Sequence, residues 1–374
     1  MREVLAEVEA WRKQGKQIAI ATNVRRDGSS LRPLGAKMAV TRSQVQGPQL
    51  EAGMEISGSV TGGCIEGVVY EEAQKVLQSG VPKLLHYGLI SEEMPWEVGL
   101  TCGSSLEVFV ESMDSAGWQE IYPALVGSLE ANQLTGVATI IAGPGLGRKL
   151  MCWLDGRSLG SLGESVLNED VREWVQRQLI AQETNWAAFK STAGQVEVFV
   201  DVFVPAARMI VVGAVHIAIP LVTLSKALGY HTIVIDPRSA FATPERFPHV
   251  DELITDWPST ALEKLHLDEG CYIAVISHDE KLDNPALKVA LASPARYVGV
   301  LGTRKKIAQR FSALRELGVT DEQLSRVRAP IGLNLGAVQP DEIALSILAE
   351  MVTARHGLPK TQEDHLSVPV SAVS

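Results

Sequence analysis

From Arg208 onward the sequence alternates short β-branched runs with amphipathic ones, and this alternation constrains the fold more than any other feature. MIVVGAVH (209–216) reads as a strand entering a glycine turn. IPLVTLSKALGY follows as a helix ending near Gly229, and HTIVIDPR (231–238) as a second strand. The pattern continues with the strand CYIAVISHDEKLD, the helix NPALKVALAS, the strand RYVGVLGTRKK and the helix KIAQRFSALRELG. Strands joined through helices return to the same end of a sheet, so they lie parallel with helices on both faces. PDEIALSILAEMVTARHG reads as the last helix, opened by Pro340 and acidic residues and stopped before Gly357. The polar stretch after Leu358 is expected to be a disordered tail.

The N-terminal half follows a different plan. Residues 3–15 carry Val4, Leu5, Val8 and Trp11 on one stripe and read as an amphipathic helix. QIAIATNV (17–24) reads as a buried strand, followed by a glycine-bearing loop and the strand KMAVTRS. Residues 44–57 are polar and read as a hairpin or loop. GSVTGGCIEG (58–67) then leads into the helical run VVYEEAQKVLQSG. KLLHYG (83–88) reads as a strand, and LEVFVES (106–112) as a strand with one buried face. The same order returns in TGVATIIAG (135–143), RKLMCWLDG, GSLGES, NEDVREWVQRQLIAQ and VEVFVD (196–201). We read residues 17–111 and 135–201 as an internal duplication. The expected class is α/β: a duplicated N-terminal α/β domain (1–205), then a Rossmann-like doubly wound parallel-sheet domain (206–357) and a tail (358–374). Setting LEVFVE on VEVFVD puts Thr192 opposite Cys102. Cys64 and Cys102 therefore belong to the first copy alone.

Four motifs could carry chemistry. VVGAVHIA (211–218) is followed by Asp236, a spacing at which an acid can hold a ribose hydroxyl. Val215 stands where a second glycine would let a pyrophosphate approach, which disfavours NAD(P). Gly213, His216, Asp236 and Arg238 are the candidate ligand residues of this region. In GSVTGGCIEG, Gly62 and Gly63 precede Cys64 at a helix start, where free N–H groups suit an anion and the dipole favours a thiolate. Glu66 could take a proton or orient a ligand. A thiolate suits a soft metal or sulfur transfer, although a lone Cys in a tight turn is as often a core residue. GLTCGSSLEV (99–108) places Cys102 in a second glycine turn, and DGSSLRPLGAKM (27–38) offers Arg32 and Lys37 beside hydroxyls. Cys152 and Cys271 lie in apolar strands and read as core. His278 and Asp279 follow a strand end on the edge where doubly wound sheets bind ligands.

These motifs together resemble the XdhC/CoxI family of xanthine dehydrogenase accessory proteins. The likeness is carried by DGSSLRPLGAKM, GSVTGGCIEG, GLTCGSSLEV, VVGAVHIA, IDPR with FATPERFP, YVGVLGTRKK and RAPIGLNLGAVQPDEIALSILAEMV. The resemblance implies a cytoplasmic, homodimeric chaperone of molybdenum cofactor. Such a protein would protect the cofactor, assist its sulfuration with a cysteine desulfurase, and insert it into a molybdenum hydroxylase. By their thiolate chemistry rather than by the resemblance, Cys64 and Cys102 are the candidate molybdenum contacts. Two positions depart from the family pattern: Val215 replaces a glycine, and Ser104 follows Cys102-Gly103.

Composition narrows the alternatives. The net charge of −10 repels phosphate backbones, so a nucleic-acid partner is not expected. The longest apolar stretch, Met209 to Leu224, is interrupted by Gly213, His216 and Pro220 and is too short for a bilayer. Four cysteines in 374 residues are too few for a disulfide scaffold. The resemblance implies an accessory factor rather than an enzyme. A nicotinamide-dependent oxidoreductase and a ligand-free interaction protein are the alternatives. Cys64 and Cys102 are expected to line a cleft facing the ligand edge of the Rossmann-like domain.

Overall fold

The computed structural model describes residues 1–28, 32–41, 55–88 and 105–356. Cys102, the 358–374 tail and parts of the 27–38 and 44–57 loops lie outside the described residues. The chain divides into two units, Met1–Pro205 and Ala206–Ser374.

The first unit contains two five-stranded sheets built to one plan. The first half runs α1 (Leu5–Lys13), β1 (Ile18–Asp27), β2 (Lys37–Thr41), β3 (Ile56–Gly58), α2 (Glu66–Ser79), β4 (Lys83–Tyr87) and β5 (Ser105–Ser112). The second half runs α3 (Ala116–Glu130), β6 (Thr135–Ala142), β7 (Lys149–Trp153), β8 (Ser158–Gly160), α4 (Ser165–Ala181), β9 (Asn185–Ser191) and β10 (Gly194–Phe203). The strand orders are β3-β2-β1-β5-β4 and β8-β7-β6-β10-β9, with antiparallel neighbours throughout. Register agrees as well: Thr22 pairs with Lys37, and Thr139 with Lys149. LEVFVE and VEVFVD occupy equivalent strands, each hydrogen-bonded to the first strand of its sheet.

Both faces of each sheet are covered. Val69, Tyr70, Ala73 and Val76 of α2 pack on the first sheet, and Leu167, Val171 and Val175 of α4 on the second. Residues of α1 and α3 share a third core with Ile18, Ile20, Val137 and Met151. Covering both faces explains why β1 and β6 read as near-continuous apolar runs, whereas a half-exposed strand alternates. Buried charge also joins the halves. Lys37 Nζ lies 2.7 Å from Asp201 Oδ2, and Lys149 Nζ lies 2.6 Å from Glu111 Oε1. Each lysine also donates to the threonine beside it, Thr22 or Thr139. Lysine in one copy thus meets acid in the other, reciprocally, which is the contact pattern of a two-fold interface.

The second unit is the parallel sheet that the alternation predicts. Its elements are β11 (Arg208–Val212), α5 (Ala218–Ala227), β12 (His231–Ile235), β13 (Glu252–Ile254), α6 (Pro258–Lys264), β14 (Cys271–Val275), α7 (Glu280–Ala292), β15 (Tyr297–Val300), α8 (Arg304–Glu316), α9 (Asp321–Ser325), β16 (Val327–Arg328) and α10 (Pro340–Arg355). The order β13-β12-β11-β14-β15-β16 reverses direction between β11 and β14. Its strands are parallel, and apolar clusters fill both faces.

Two helices depart from the sequence reading. Helix α7 begins at Glu280, capped by Asp279, rather than at Asn284, and α3 is absent from the sequence reading although Trp118, Ile121, Tyr122, Leu125 and Leu129 recur at helical spacing. Both contain an internal proline, Pro285 or Pro123. A proline there removes one backbone donor and predicts a helix break. Packing of Leu282, Ala286 and Leu287, and of Trp118, Ile121 and Leu125, outweighs that loss.

Candidate functional site

The turn between β3 and α2 brings Gly62, Gly63, Cys64 and Glu66 together. Its amides form the expected anion cradle, and the anion they hold is Glu66 itself. The Glu66 carboxylate accepts from the backbone N–H of Thr61, Gly62, Gly63 and Ile65 at 2.9–3.2 Å. It also accepts from the hydroxyls of Ser59 and Thr61. Partial burial pushes the acid up, but the bonds from Ser59, Thr61 and Gly62 outweigh it and hold Glu66 down at about 2. A phosphate would have to displace this carboxylate. Cys64 is exposed on the same turn, and its N–H donates to Thr61 Oγ1 at 3.1 Å. Cys152 and Cys271 are buried in strands, and burial pushes their thiols up to about 12 and about 11.

The other candidate residues gather at the carboxyl edge of the parallel sheet. Gly213 directly follows β11 with φ +110°, and a Cβ there would lie 2.6 Å from the Ser277 Cα. Only glycine lets the β11 and β14 loops approach this closely. Asp236 is fully buried. It accepts from the Ala214 N–H at 2.7 Å and from the Arg238 N–H, Nε and Nη2 at 2.7–2.9 Å. Burial raises its pKa, and these bonds, led by Arg238, outweigh that and leave it below the ordinary value. The acid expected to hold a ribose hydroxyl is thus committed to the protein. Val215 is half-buried and packs against the apolar core beside the turn. His216 is exposed at a groove of about 500 Å³ lined by Ile219, Pro220, Leu224 and Pro340.

On β14's side, Ser277 donates to Asp283 Oδ1 at 2.5 Å, and Asp283 Oδ2 lies 2.9 Å from the buried Arg310 Nη1. This network underlies His278, which holds a left-handed φ of 65° and is exposed. Sequence reasoning missed Asp283, in the first turn of α7, and Arg310, in the middle of α8, because neither stands in a motif. It also missed Arg246, whose Nη1 donates to the Ala214 carbonyl at 3.0 Å. Among the described residues no group of three or more His, Cys, Asp or Glu is placed to hold a metal ion. No helix among them is long and apolar enough to cross a membrane.

Two family models match on either side of this geometry. Residues 11–88, which include the Glu66 turn, match the XdhC and CoxI family, and residues 209–351 match the XdhC Rossmann domain. The chain belongs to the XdhC and CoxI family. Among its relatives is a probable xanthine dehydrogenase subunit of Bacillus subtilis (strain 168), 24% identical over 93% of this chain and 96% of that one. The Escherichia coli (strain K12) "molybdenum cofactor insertion chaperone PaoD" is 25% identical over 91% of this chain and 84% of its own length. The E. coli protein YqeB is 27% identical over 55% of this chain, and the match spans only 40% of YqeB. A solved structure of a Bacillus halodurans protein named xanthine dehydrogenase has the same fold, with TM-score 0.73, 24% identity and 98% of each chain covered. In this XdhC-family chain the second copy of the N-terminal plan lies between the two matched stretches and keeps the scaffold without the thiol turn.

Proposed function

We propose that this protein holds molybdenum cofactor and delivers it to a molybdenum hydroxylase, without turnover of its own. The observation that carries this reading is the likeness to PaoD across 342 residues. The geometry supports it in one respect: each candidate region presents a group that suits a ligand, the Cys64 thiol in one and the Arg238 and Arg246 guanidiniums in the other. The cofactor, when bound, brings a phosphate, a planar pterin and a soft metal–sulfur end.

The described residues of each unit, taken separately, fit one of those needs. Cys64 is an exposed thiol on a turn and suits a soft metal. Arg238 and Arg246 border the sheet edge and suit a phosphate. The turn amides do not suit the phosphate while Glu66 fills them. Glu66 fixes the turn that carries Cys64, and that is its role in this reading. Assistance from a cysteine desulfurase during sulfuration and a homodimeric state complete the proposal.

The test is cofactor content. The protein is purified from cells able to make molybdenum cofactor, and bound pterin and molybdenum are assayed alongside activation of a molybdenum hydroxylase. Wild type is expected to carry both. Cys64→Ala is expected to lose most of the molybdenum and client activation, with thermal unfolding unchanged, because a small exposed turn residue changes stability within ~0.5 kcal/mol. A Cys64→Ala, Cys102→Ala double variant that retains and delivers cofactor like wild type would refute the thiol role. Bound nicotinamide in place of pterin would favour the oxidoreductase alternative.

A further inference from the structure

The loop between β12 and β13 carries an aromatic ring that the core does not use. Phe247 of this loop is buried, yet Phe241 keeps 41% of its surface exposed. The Arg238 guanidinium lies over the Phe241 ring, 4.4 Å from its centroid, and that of Arg246 lies 5.6 Å from it. Both cations are anchored. Arg238 is held by Asp236, which is itself held by the Ala214 N–H. Arg246 Nη1 donates to the carbonyls of Ala214 and Phe241 at 3.0 and 2.6 Å. The ring, both guanidiniums and the turn after β11 therefore form one connected assembly at the carboxyl edge of the sheet.

The two cations of this assembly differ in their partners, and Asp279 and Asp283 also act on Arg238. Asp236 and Arg238 form an ion pair. Arg246 donates only to carbonyl oxygens, and among the described residues it makes no ion pair. Its neighbour Glu245 bonds to Thr243 instead. An exposed aromatic ring beside a guanidinium that makes no ion pair among the described residues matches a ligand that is flat at one end and anionic at the other. The ring supplies stacking, and the guanidinium supplies charge-assisted bonds to phosphate oxygens.

We propose that Phe241 and Arg246 form a subsite for a nucleoside monophosphate moiety, with the base stacked on Phe241 and the phosphate on Arg246. The proposal rests on the cofactor-carrier reading only in taking this edge of the sheet as the ligand edge. It differs from dinucleotide binding at a glycine turn, because neither Asp236 nor the Ala214 amide has a hydrogen bond to spare.

The experiment is calorimetric titration of the full-length protein with AMP, CMP and inorganic phosphate, on wild type and on Phe241→Ala, Phe241→Tyr, Arg246→Gln and Arg246→Lys. Wild type is expected to bind both nucleotides more tightly than phosphate. Phe241→Ala should weaken the nucleotides about tenfold, the loss expected for one base–aromatic stack, and leave phosphate unchanged. Phe241→Tyr should bind as wild type does. Arg246→Gln should weaken all three ligands, and Arg246→Lys should recover phosphate binding in part. Nucleotides binding no better than phosphate, or binding Phe241→Ala as they bind wild type, would overturn the proposal. Pterin content of the same preparations separates the two readings. Unchanged nucleotide binding by Phe241→Ala with pterin retained removes the subsite alone. Phe241-dependent nucleotide binding without pterin removes the cofactor reading alone.

Discussion

The two halves of the N-terminal unit share a framework and differ in what hangs from it. Both run helix, three strands, helix, two strands, in the same sheet order. In the first half, residues 42–55 join β2 to β3 and residues 88–104 join β4 to β5. In the second half, residues 154–157 and 192–193 make the same connections. The first half's longer connections include Cys102. At the thiol turn, the shared spacing from Gly58 to Glu66 and from Gly160 to Asn168 sets Val166 against Cys64. A duplicated scaffold needs only one copy to carry chemistry, and loops can change while the paired strands hold the fold. The second copy is then free to serve as the packing partner that the first one needs.

If that is right, the largest effect should come from breaking the reciprocal ion pairs. Lys149 and Glu111 are 1% and 3% exposed at the side chain, so burial pushes Lys149 below its ordinary value while Glu111 counteracts it. Lys149→Met leaves Glu111 buried without its partner and is expected to cost about 3–5 kcal/mol in denaturant unfolding. Lys37→Met should cost less, because Asp201 keeps 11% of its side chain exposed and water can reach it. The double variant Lys149→Met, Glu111→Leu should recover most of the loss, since an apolar pair can replace a buried ionic one. Equal losses for the two lysines would mean that the halves contribute symmetrically and that exposure does not decide the cost.

Next in size are the glycines that end β3 and β8. Gly58 has φ +74° and Gly160 has φ +89°, and an added Cβ would meet the carbonyl oxygen of Lys37 at 2.3 Å or of Lys149 at 2.6 Å. Alanine at either position combines a left-handed backbone with a clash against main chain, and should cost about 1–3 kcal/mol. Gly58→Ala should be the worse of the two, because Val4 Cγ1 also lies 2.6 Å away. Thermal unfolding of both variants checks the order. A reversed order would mean that the first copy is the more plastic.

Much of this was legible in the sequence, for physical reasons. The parallel sheet announces itself because strands buried on both faces must be apolar and the helices between them must be periodic. The repeat shows in LEVFVE and VEVFVD because equivalent strands face equivalent cores. The reciprocal ion pairs were not legible: LGAK and LGRK look like loop exits, and nothing local shows that Lys37 and Lys149 point inward to acids far along the chain. Helix α3 was legible in the spacing of Trp118, Ile121, Tyr122, Leu125 and Leu129, and the sequence reading left it unassigned. At the candidate site, the motifs located the turns and misjudged their occupancy. Glycines, Glu66 and Asp236 signal free amides and free carboxylates, but their hydrogen bonds go to one another. A motif reports which groups are present, whereas the fold decides which remain available.

The smallest effect expected is at the paired turns, where it separates charge from geometry. In the first half Glu66 accepts from Ser59 and from the amide of Thr61. In the second half Asn168 accepts from the Leu162 amide at 2.7 Å and donates to Ser161 Oγ. The spacing to the serine is the same in both, but one side chain is ionised and the other is neutral. Each should contribute about 1 kcal/mol, as helix-start capping residues do. Their pH dependence should differ. Glu66 is held at about 2 in the folded protein, against an ordinary value of 4.5. A carboxylate depressed by folding contributes fully above the higher value and loses its contribution as pH falls toward the lower one. The stability gap between wild type and Glu66→Gln should therefore be largest near neutrality and shrink steadily between about pH 4.5 and about pH 2. The gap between wild type and Asn168→Ala should be flat over the same interval, because neither side chain titrates. Denaturant unfolding at matched ionic strength measures both gaps. A Glu66 gap that stays constant with pH would show that its oxygens, not its charge, hold the turn, and the two halves would then differ in sequence but not in mechanism.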